Sequence, residues 1–480
     1  MIMHPHRTFI LSGFLLSVSL GGCARYTAEP ITSDAVESAL RPPDAQHLTI
    51  AAAGLHHPRL MPVTLDPLVP LTPDAAAVIA VLIHPQLRTA RSQRGLADAQ
   101  VIQAGLLPNP QVNGSFDRPI TGDVESASTG WQVGLSWEVT SFITRGAKQA
   151  SADAASHAVD LAIAWQEWQV ATAARQAVVR LAGASERVPL AIEHERMAEA
   201  TCELHRRAAA IGAITGEALA QIEAALADAH ASRLDAEAEV EHERLLAVRA
   251  IGFPTDHPLP VVSSETLADA FSEVPEAADR DAVAHLEEQR LDLVGLRAGY
   301  QAQEEALRAT VLGQFPKITL SLSRARDTGS LGLISPGVGI DLPFFDRSQG
   351  VIATAAADRQ RLRSEYIQRV FEARHDVAET YSEMRAAEDH WRQAVTAMQV
   401  ARAREQALAS AADAGLGDLL AESAAQAERI RQASNRSMWR QRHAELRIAF
   451  ELSAGCLLSL TPQPAKPASS PETRPAESTP

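Results

Sequence analysis

The most constraining stretch of the sequence is a thin amphipathic strand that runs directly into a very long helical segment. Residues 332–350 read GLISPGVGIDLPFFDRSQG, in which Ile334, Val338, Ile340 and Leu342 alternate with small or polar residues. Because successive side chains of a strand point to opposite faces, this alternation predicts a strand with one apolar and one polar face. From residue 351 onward the period changes to that of a helix.

Apolar residues recur at every seventh position of this helical segment. They are Val370, Val377, Met384, Trp391 and Met398. A seven-residue repeat of this kind predicts a coiled-coil seam. Only 4% of the residues are aromatic and alanine dominates long tracts, which favours slender, closely packed helices over a thick globular core. The net charge of −15, with no basic stripe, argues against a nucleic-acid partner.

The same order of elements (helix, two strands, long helix, second helix) occurs twice in the chain. Four pairs of equivalent landmarks lie 203 to 206 positions apart, namely Pro110 and Pro316, Gly134 and Gly339, Gly146 and Gly350, and Gly212 and Gly415. We infer a tandem duplication. The predicted boundaries are an export signal over 1–22, an extended N-terminal arm over 23–70, a first repeat over 71–252, a linker over 253–277, a second repeat over 278–455 and a disordered Pro- and Ser-rich tail over 456–480.

Local signals place the helices within these repeats. Thr72-Pro73-Asp74 predicts a helix start, because a hydroxyl cap, a proline in the first turn and an early acid all stabilise a helix N-terminus. His84-Pro85 should interrupt that helix near its beginning. Pro189 is expected to kink or break the long helix that follows Gly146. In the second repeat, a single helix is predicted from about Arg280 to Leu312.

The N-terminus has the pattern of an exported protein. A basic start precedes a short apolar segment, Phe9 to Leu20, which is too short to span a membrane as a helix and is typical of a signal peptide. Leu20-Gly21-Gly22-Cys23 resembles the bacterial lipoprotein box, and this resemblance implies cleavage before Cys23 and its acylation, including a palmitate chain. An ordinary signal peptide with a chance cysteine is the alternative. Ala24, in place of aspartate, implies sorting to the outer membrane.

Each predicted strand has about eight to eleven residues, which is enough to cross a bilayer when tilted. A soluble sandwich with one buried face is the alternative for any single strand of this kind. Four strands in two widely separated hairpins cannot close a barrel, however, and open sheet edges are not tolerated in hydrocarbon. Several copies would have to pool their strands, and three copies would supply twelve.

In their order, several short motifs resemble those of outer-membrane efflux proteins of the TolC family. The motifs are Leu71-Thr72 with His84-Pro85-Gln86-Leu87, the run from Ala104 to Pro110, Arg290-Leu291-Asp292-Leu293, Phe315-Pro316-Lys317-Ile318, and the run from Leu342 to Gly350. Histidine replaces the family's asparagine at 84, and leucine replaces its proline at 291. The resemblance implies a mainly α fold with a small membrane β part. In that fold a trimeric channel-tunnel places four strands per chain in a twelve-stranded barrel in the outer membrane, and coiled-coil helices form an α-barrel in the periplasm.

The resemblance also implies a function. As a member of this family, the protein would be a lipid-anchored homotrimer in the outer membrane and would act as the passive channel of a tripartite efflux pump. Its partners would be a periplasmic adaptor (membrane fusion protein) and a proton-driven or ATP-driven inner-membrane transporter. The run from Leu342 to Gly350 is most similar to members that serve heavy-metal cation pumps. Export of metal cations or small toxic compounds is therefore expected, with type I protein secretion as the alternative. A periplasmic adaptor lipoprotein and a coiled-coil surface protein are two further alternatives, disfavoured by the duplication and by the paired strands.

Two helix-to-helix turns match the places where the family contacts its adaptor. The turns contain Ile211, Gly212 and Ala213 in the first repeat, and Ala414, Gly415 and Leu416 in the second. Glycine permits a tight turn and the apolar neighbours can meet a partner. A simple helical hairpin turn is the competing interpretation.

Related channels carry aspartates beyond the second turn, where this chain has alanines, so the family pattern departs here. Asp418 and Glu422 lie four residues apart and share a helix face. In three copies around an axis they would form a cation-selective periplasmic gate; the alternative is that Asp418 caps the helix and Glu422 is solvated. We find no metalloprotease, phosphate-binding or nucleophile motif, and we expect no catalysis, cofactor or metal site. Cys202 and Cys456 are expected to be unpaired.

Overall fold

The structure is a computed structural model that describes residues 26–66, 69–121, 128–263, 278–414 and 419–458. The chain divides into two units, residues 1–42 and residues 43–480. In the first unit, helix α1 (Ser33–Leu40) begins at Thr32, whose Oγ1 accepts a hydrogen bond from the backbone N–H of Ala35 at 3.2 Å. All further elements belong to the second unit.

The second unit contains nine helices and four strands within its described residues. In chain order they are α2 (Ala45–Ala53), α3 (Pro73–Ile83), α4 (Pro85–Gly105), β1 (Gln111–Asp117), β2 (Gly130–Glu138), α5 (Ser141–Ala210), α6 (Gly216–Ile251), α7 (Ala278–Gln289), α8 (Leu291–Leu312), β3 (Lys317–Arg326), β4 (Gly332–Asp341), α9 (Gln349–Asp413) and α10 (Leu419–Ala454). This order confirms the predicted succession of helix, two strands, long helix and helix in each half. At about 1.5 Å per residue, the 70 residues of α5 extend for about 105 Å.

The four strands form one antiparallel sheet in the order β1-β2-β3-β4. The two hairpins predicted from sequence are therefore joined by pairing of β2 with β3. Leu135 lies opposite Leu322, and Leu320 lies opposite Val338, so the apolar positions of all four strands are in register. At one end of the sheet the strands adjoin helices, and at the other end β3 and β4 are joined by their short loop.

The long helices form two antiparallel hairpins, α5 with α6 and α9 with α10, and α5 also packs against α10. The predicted heptad seam of α9 is confirmed, because Val377 and Met384 are fully buried in a cluster with Leu446 and Phe450 of α10. Small residues occupy the alternate heptad positions and are buried as well, namely Ala373, Ala387, Ala394 and Ala401. Alanine at these positions allows the two helices to approach closely.

A second core lies between α3 and α5. Trp168 of α5 is fully buried among the alanine and valine side chains of α3 and Leu87 of α4. The predicted start of α3 is confirmed: Thr72 is the N-cap, its Oγ1 accepts from the N–H of Ala75 at 3.2 Å, and Pro73 occupies the first turn. The interruption at His84 is confirmed too, since α3 ends there and α4 begins at Pro85.

One prediction about helix continuity was wrong, and of the two outcomes expected at Pro189, a kink or a break, the break is absent. Helix α5 continues through Pro189 without a break. Pro189 and Ser185, whose carbonyl loses its helical partner, are both exposed, and water can therefore satisfy that carbonyl. Conversely, the single helix expected over 280–312 is two helices separated at Arg290. Arg290 has extended backbone (φ −77°, ψ 115°) and a buried side chain bonded to neighbouring helices.

The segments outside the repeats are more ordered than predicted. The arm expected to be extended over 23–70 contains α1 and α2, and Leu48 and Leu60 pack into the core around α3. The linker begins with a structured stretch, because the N–H of Leu71 donates to the carbonyl of Pro260 at 2.8 Å and Val262 is buried. At the C-terminal end, Cys456 and Leu458 pack against the α9–α10 cluster. The export signal, most of the tail and part of the linker lie outside the described residues.

None of the helices in the described part of the chain is both long enough and apolar enough to cross a membrane.

Candidate functional site

One face of the sheet is apolar on all four strands, apart from two arginines on β3, and most of its side chains are exposed. It comprises Val112 and Phe116 on β1, Trp131, Val133, Leu135 and Trp137 on β2, Ile318, Leu320 and Leu322 on β3, and Ile334, Val338 and Ile340 on β4. The exposed fraction is 83% for Phe116, 74% for Ile334 and 54% for Leu322. A contiguous apolar surface of this kind marks a contact with lipid or with a partner.

The opposite face of the sheet is polar and lined by small residues. It carries Asn113, Ser115, Gln132, Ser136, Thr319, Ser321, Ser323 and Ser335. Two of its positions are glycines that lie close to neighbouring polar side chains. A Cβ on Gly134 would lie 2.5 Å from Asn113 Oδ1, and one on Gly337 would lie 2.6 Å from Ser321 Oγ. The polar face that the alternation predicted is present, and it can line a water-filled space.

Aromatic side chains mark both ends of the apolar face. Phe116 and Trp131 pair at the loop end, and Trp137, Phe142, Phe344 and Phe345 lie at the helix end. The rings of Trp137 and Phe142 meet edge to face with centroids 5.4 Å apart. The indole N–H of Trp137 also donates to the carbonyl of Pro108 at 2.8 Å. Two aromatic belts that flank an apolar band are typical of a protein surface at the two interfaces of a bilayer.

The turn between α5 and α6 is a tight, exposed tip. The N–H of Gly212 donates to the carbonyl of Ala209 and that of Ala213 to Ala208, both at 2.9 Å, which closes the helix in a Schellman motif. Gly212 has a φ of +76°, which favours glycine, and a Cβ there would meet nothing within 4 Å. Ile211 is 82% exposed. An apolar side chain at the end of a helical hairpin is thus available for contact.

The second turn is described only at its beginning. Helix α9 ends at Asp413, and the N–H of the exposed Ala414 donates to the carbonyl of Ser410 at 3.2 Å. The remaining residues of the predicted second docking turn, Gly415 and Leu416, lie outside the described residues. So do the gate candidate Asp418 and the predicted lipidation site Cys23.

Glu422, the other gate candidate, lies in the first turn of α10. Its side chain lines a groove of about 630 Å³ between the start of α10 and the end of α5. The opposite wall of the groove is largely apolar and includes Met197, Leu204 and Ile214. Glu422 is therefore half-buried beside the turn between α5 and α6 in the single chain.

Buried charges between the helices were not predicted from the sequence. The Arg175 guanidinium on α5 donates to the Glu451 carboxylate on α10, and it lies 3.0 Å from Asp74 on α3. Arg175 and Glu451 are almost fully buried, with exposed fractions of 6% and 3%. Their only signal in the sequence is a charge at an otherwise apolar helix position. This cluster fixes the relative position of three helices.

A second buried cluster surrounds Arg290 at the break between α7 and α8. Its guanidinium bonds the Asp292 carboxylate through two nitrogens, at 2.8 and 3.0 Å, and lies over the Trp165 ring at 5.1 Å. Arg369 of α9 also donates to Asp292, at 3.0 Å. These contacts hold the pKa of Asp292 below its usual value although burial opposes them. The Arg-x-Asp motif that resembled the family thus has a structural role.

Two largely buried histidines have lowered pKa values. Burial, with the nearby Arg447 and Arg392, lowers the pKa of His443 to about 4. Burial also lowers the pKa of His57, whose Nδ1 accepts from the N–H groups of Arg59 and Leu60 at 3.0 and 3.1 Å. Within the described residues, no group of three or more His, Cys, Asp or Glu side chains is placed to hold a metal ion. Cys202 and Cys456 are both free, as predicted.

In sequence, the chain is similar to the cobalt-zinc-cadmium resistance protein CzcC of Cupriavidus metallidurans. The two are 23% identical over 305 residues, which cover 62% of this chain and 69% of CzcC. No protein-family model matches the sequence.

In structure, the chain is similar to solved outer-membrane channels. OprN, described as an outer-membrane channel, superposes with a TM-score of 0.65 at 17% identity, covering 91% of this chain and 99% of OprN. CusC, whose crystal structures concern transmembrane channel formation, superposes with a TM-score of 0.66 at 15% identity, covering 90% of this chain and 100% of the CusC chain. The fold of this chain is that of the outer-membrane efflux channels of the TolC family.

Proposed function

We propose that the protein is the outer-membrane channel of a tripartite efflux pump and acts as a passive duct from the periplasm to the exterior. The observation that carries this proposal is the exposed apolar face of the sheet, bordered by aromatic belts and backed by a polar face. The helices adjoin the sheet at only one end of its strands, which suits a membrane part joined to a helical periplasmic part. The protein would have no catalytic activity and no cofactor.

The chain would work as a homotrimer. Strands β1 and β4 are the edges of the sheet, and each presents unpaired backbone groups on its outer side. In hydrocarbon such groups need partners, and pairing β4 of one copy with β1 of the next satisfies both edges. Three copies then close a barrel of twelve strands, with the apolar face toward lipid and the polar face toward the lumen.

The helical hairpin tips would receive the periplasmic adaptor, which links the channel to an inner-membrane transporter driven by protons or ATP. The exposed Ile211 beside the tight turn at Gly212 supports this role for the first tip. Ala414, Gly415 and Leu416 would form the equivalent tip of the second repeat. The gate candidates Asp418 and Glu422 follow directly after that tip.

The mature chain would be anchored in the outer membrane by acylation of Cys23. The test is metabolic labelling with a radioactive or alkyne-tagged palmitate in cells that express wild-type protein or the Cys23→Ala variant. Wild-type protein should be labelled and the variant should not. Equal labelling of the two would contradict the lipid anchor without affecting the channel proposal, because the barrel supplies its own membrane affinity.

The cargo would be metal cations or small toxic compounds. The similarity to CzcC, named for cobalt, zinc and cadmium resistance, supports metals, whereas type I protein secretion is the alternative. The test is to delete the gene for this protein in its host and to measure how much zinc, cobalt and cadmium the cells accumulate. Higher accumulation, reversed by the wild-type chain, is the expected result. Unchanged accumulation together with loss of a secreted protein would favour the alternative.

A further inference from the structure

Two arginines interrupt the apolar face of the sheet near its loop end. Arg324 and Arg326 lie on β3, two residues apart, so both point to the same face as Leu320 and Leu322. Arg324 is paired between Val133 on β2 and Ile334 on β4, as defined by the strand register. Arg326 is paired between Trp131 and Gly332. The two charges thus lie about 7 Å apart along the strand, beside the loop-end aromatic belt.

Both arginines are exposed, and neither is paired with a carboxylate among the described residues. The neighbouring acids are directed elsewhere. The Asp327 carboxylate accepts a hydrogen bond from the Leu331 N–H at 2.8 Å within the β3–β4 loop. Asp117 lies opposite Gly130, and the alternation along β1 places its side chain on the polar face. The apolar face therefore carries two cations without a described counter-charge.

An unpaired guanidinium facing hydrocarbon is unfavourable, and long arginine side chains near a membrane boundary extend their charged ends toward the headgroups. At that depth the available anions are lipid phosphates. A guanidinium matches a phosphate well because it donates two parallel hydrogen bonds to two oxygens. Trp131 and Phe116 lie directly across the sheet from Arg326, and such aromatic side chains are common at the same interfacial depth.

We propose that Arg324 and Arg326 form a binding site for the phosphate of an anionic lipid in the leaflet farther from the helices. This inference rests on the proposed function, which places the apolar face in a bilayer. The acyl chains of the lipid would lie along Val133, Leu322 and Ile334, and its headgroup would lie between the two guanidinium groups. The site would hold each chain of the channel at a defined depth and prefer anionic lipids, whose headgroups carry a net negative charge, over zwitterionic ones.

The test is native mass spectrometry of the full-length detergent-solubilised protein, titrated with dioleoyl phosphatidic acid and, separately, with dioleoyl phosphatidylcholine. Phosphatidic acid should bind the wild type more tightly. If each arginine contributes the energy usual for a basic residue at an anionic membrane surface, R324Q or R326Q should lose roughly fivefold and the double variant up to roughly 25-fold in affinity. K317Q is the matched control, because it removes a positive charge from the polar face of the same strand.

Equal affinity of wild type, both single variants and the double variant for phosphatidic acid would overturn the inference. So would displacement of the lipid by millimolar inorganic phosphate, because the site would then recognise a free anion. The single variants keep the test valid if the double variant does not assemble. Failure of the wild-type protein to insert into phosphatidylcholine vesicles would contradict the proposed function itself. Normal insertion with no lipid preference would contradict only this inference.

Discussion

Arg175 on α5 and Glu451 on α10 form a buried ion pair across 276 positions of sequence, and the pair joins the two halves of the duplication. Asp74 lies 3.0 Å from the same arginine, and Arg447 lies 3.8 Å from Glu451. Four charges from three helices are thus gathered where the helices converge. Buried ion pairs of this kind, together with the alanine-rich helix seams, therefore fix the position of one repeat relative to the other.

Removing one partner of this pair should destabilise the protein strongly. Replacing Arg175 with Met removes the nearer of the two cationic partners of the buried Glu451 carboxylate, and such a change typically costs about 3–5 kcal/mol. The double variant R175M/E451L should be less destabilised than the sum of the two single variants, because each single variant already removes the direct contact between the two residues. Thermal melting followed by circular dichroism measures both effects. Additive losses in the double variant would show that the pair is not coupled.

The helical part should lose stability as the pH falls from about 6.5 to 4. His443 has a pKa of about 4 in the folded protein, below the usual 6.5, so the unfolded chain binds a proton in this range and the folded chain does not. Stability is fully present above pH 6.5 and decreases below it. His57 acts in the same direction. The variant H443Q should flatten the pH dependence of the melting temperature, whereas H285Q, at an exposed position, should not. An identical slope in wild type and H443Q would contradict this assignment.

A bulky charge at Gly212 should block efflux while leaving assembly intact. A lysine there has open space around its Cβ and incurs mainly the cost of left-handed backbone, about 1–2 kcal/mol. G415K is the equivalent change in the second repeat. G95K is the matched control, because Gly95 lies on α4 and a Cβ added there would also meet no atom within 4 Å. Trimer content is read from unheated gels and transport from metal accumulation. Normal transport in both G212K and G415K would exclude the turns as docking sites.

The gate candidates predict a change in ion selectivity. With Asp418 and Glu422 in three copies near an axis, six carboxylates would favour cations. Single-channel recordings of D418N/E422Q should show lower cation selectivity and a weaker dependence on pH than the wild type. If selectivity is unchanged in a properly assembled trimer, Asp418 and Glu422 do not form a gate. Their roles would then be to cap α10 and to line its groove with α5.

Local patterns predicted the strands and most helix ends because those features depend on neighbouring residues. Alternation alone identifies the two faces of β4, and Thr72-Pro73 alone defines the start of α3. The missed helices of the arm also had local signals. Thr32 and Asp44 each cap a helix through a side-chain hydrogen bond, which a search for capping residues would have found.

Other features depend on distant residues and could not be predicted in this way. The helix break at Arg290 has no glycine or proline. It exists because the buried guanidinium bonds Asp292, the Ser453 carbonyl at 3.3 Å and Asp376 at 3.4 Å. A break at Pro189, one of the two outcomes expected there, is absent, because the exposed position of Pro189 and Ser185 lets water bond the freed carbonyl. Within the candidate site, β2 pairs with β3 and so joins two hairpins about 200 positions apart in sequence. The alternation within each strand does not determine this pairing.

The central claim is that three chains pool their strands by pairing β4 of one copy with β1 of the next, and disulfide cross-linking tests it most directly. Ser115→Cys on β1 is combined in turn with a cysteine at 333, 335, 337, 339 or 341 on the polar face of β4, in a Cys456→Ser background. Oxidation in native membranes should convert at least one of these double variants into covalent dimers and closed trimers. A chain that reaches the outer membrane but remains monomeric with every pair after oxidation would contradict this claim.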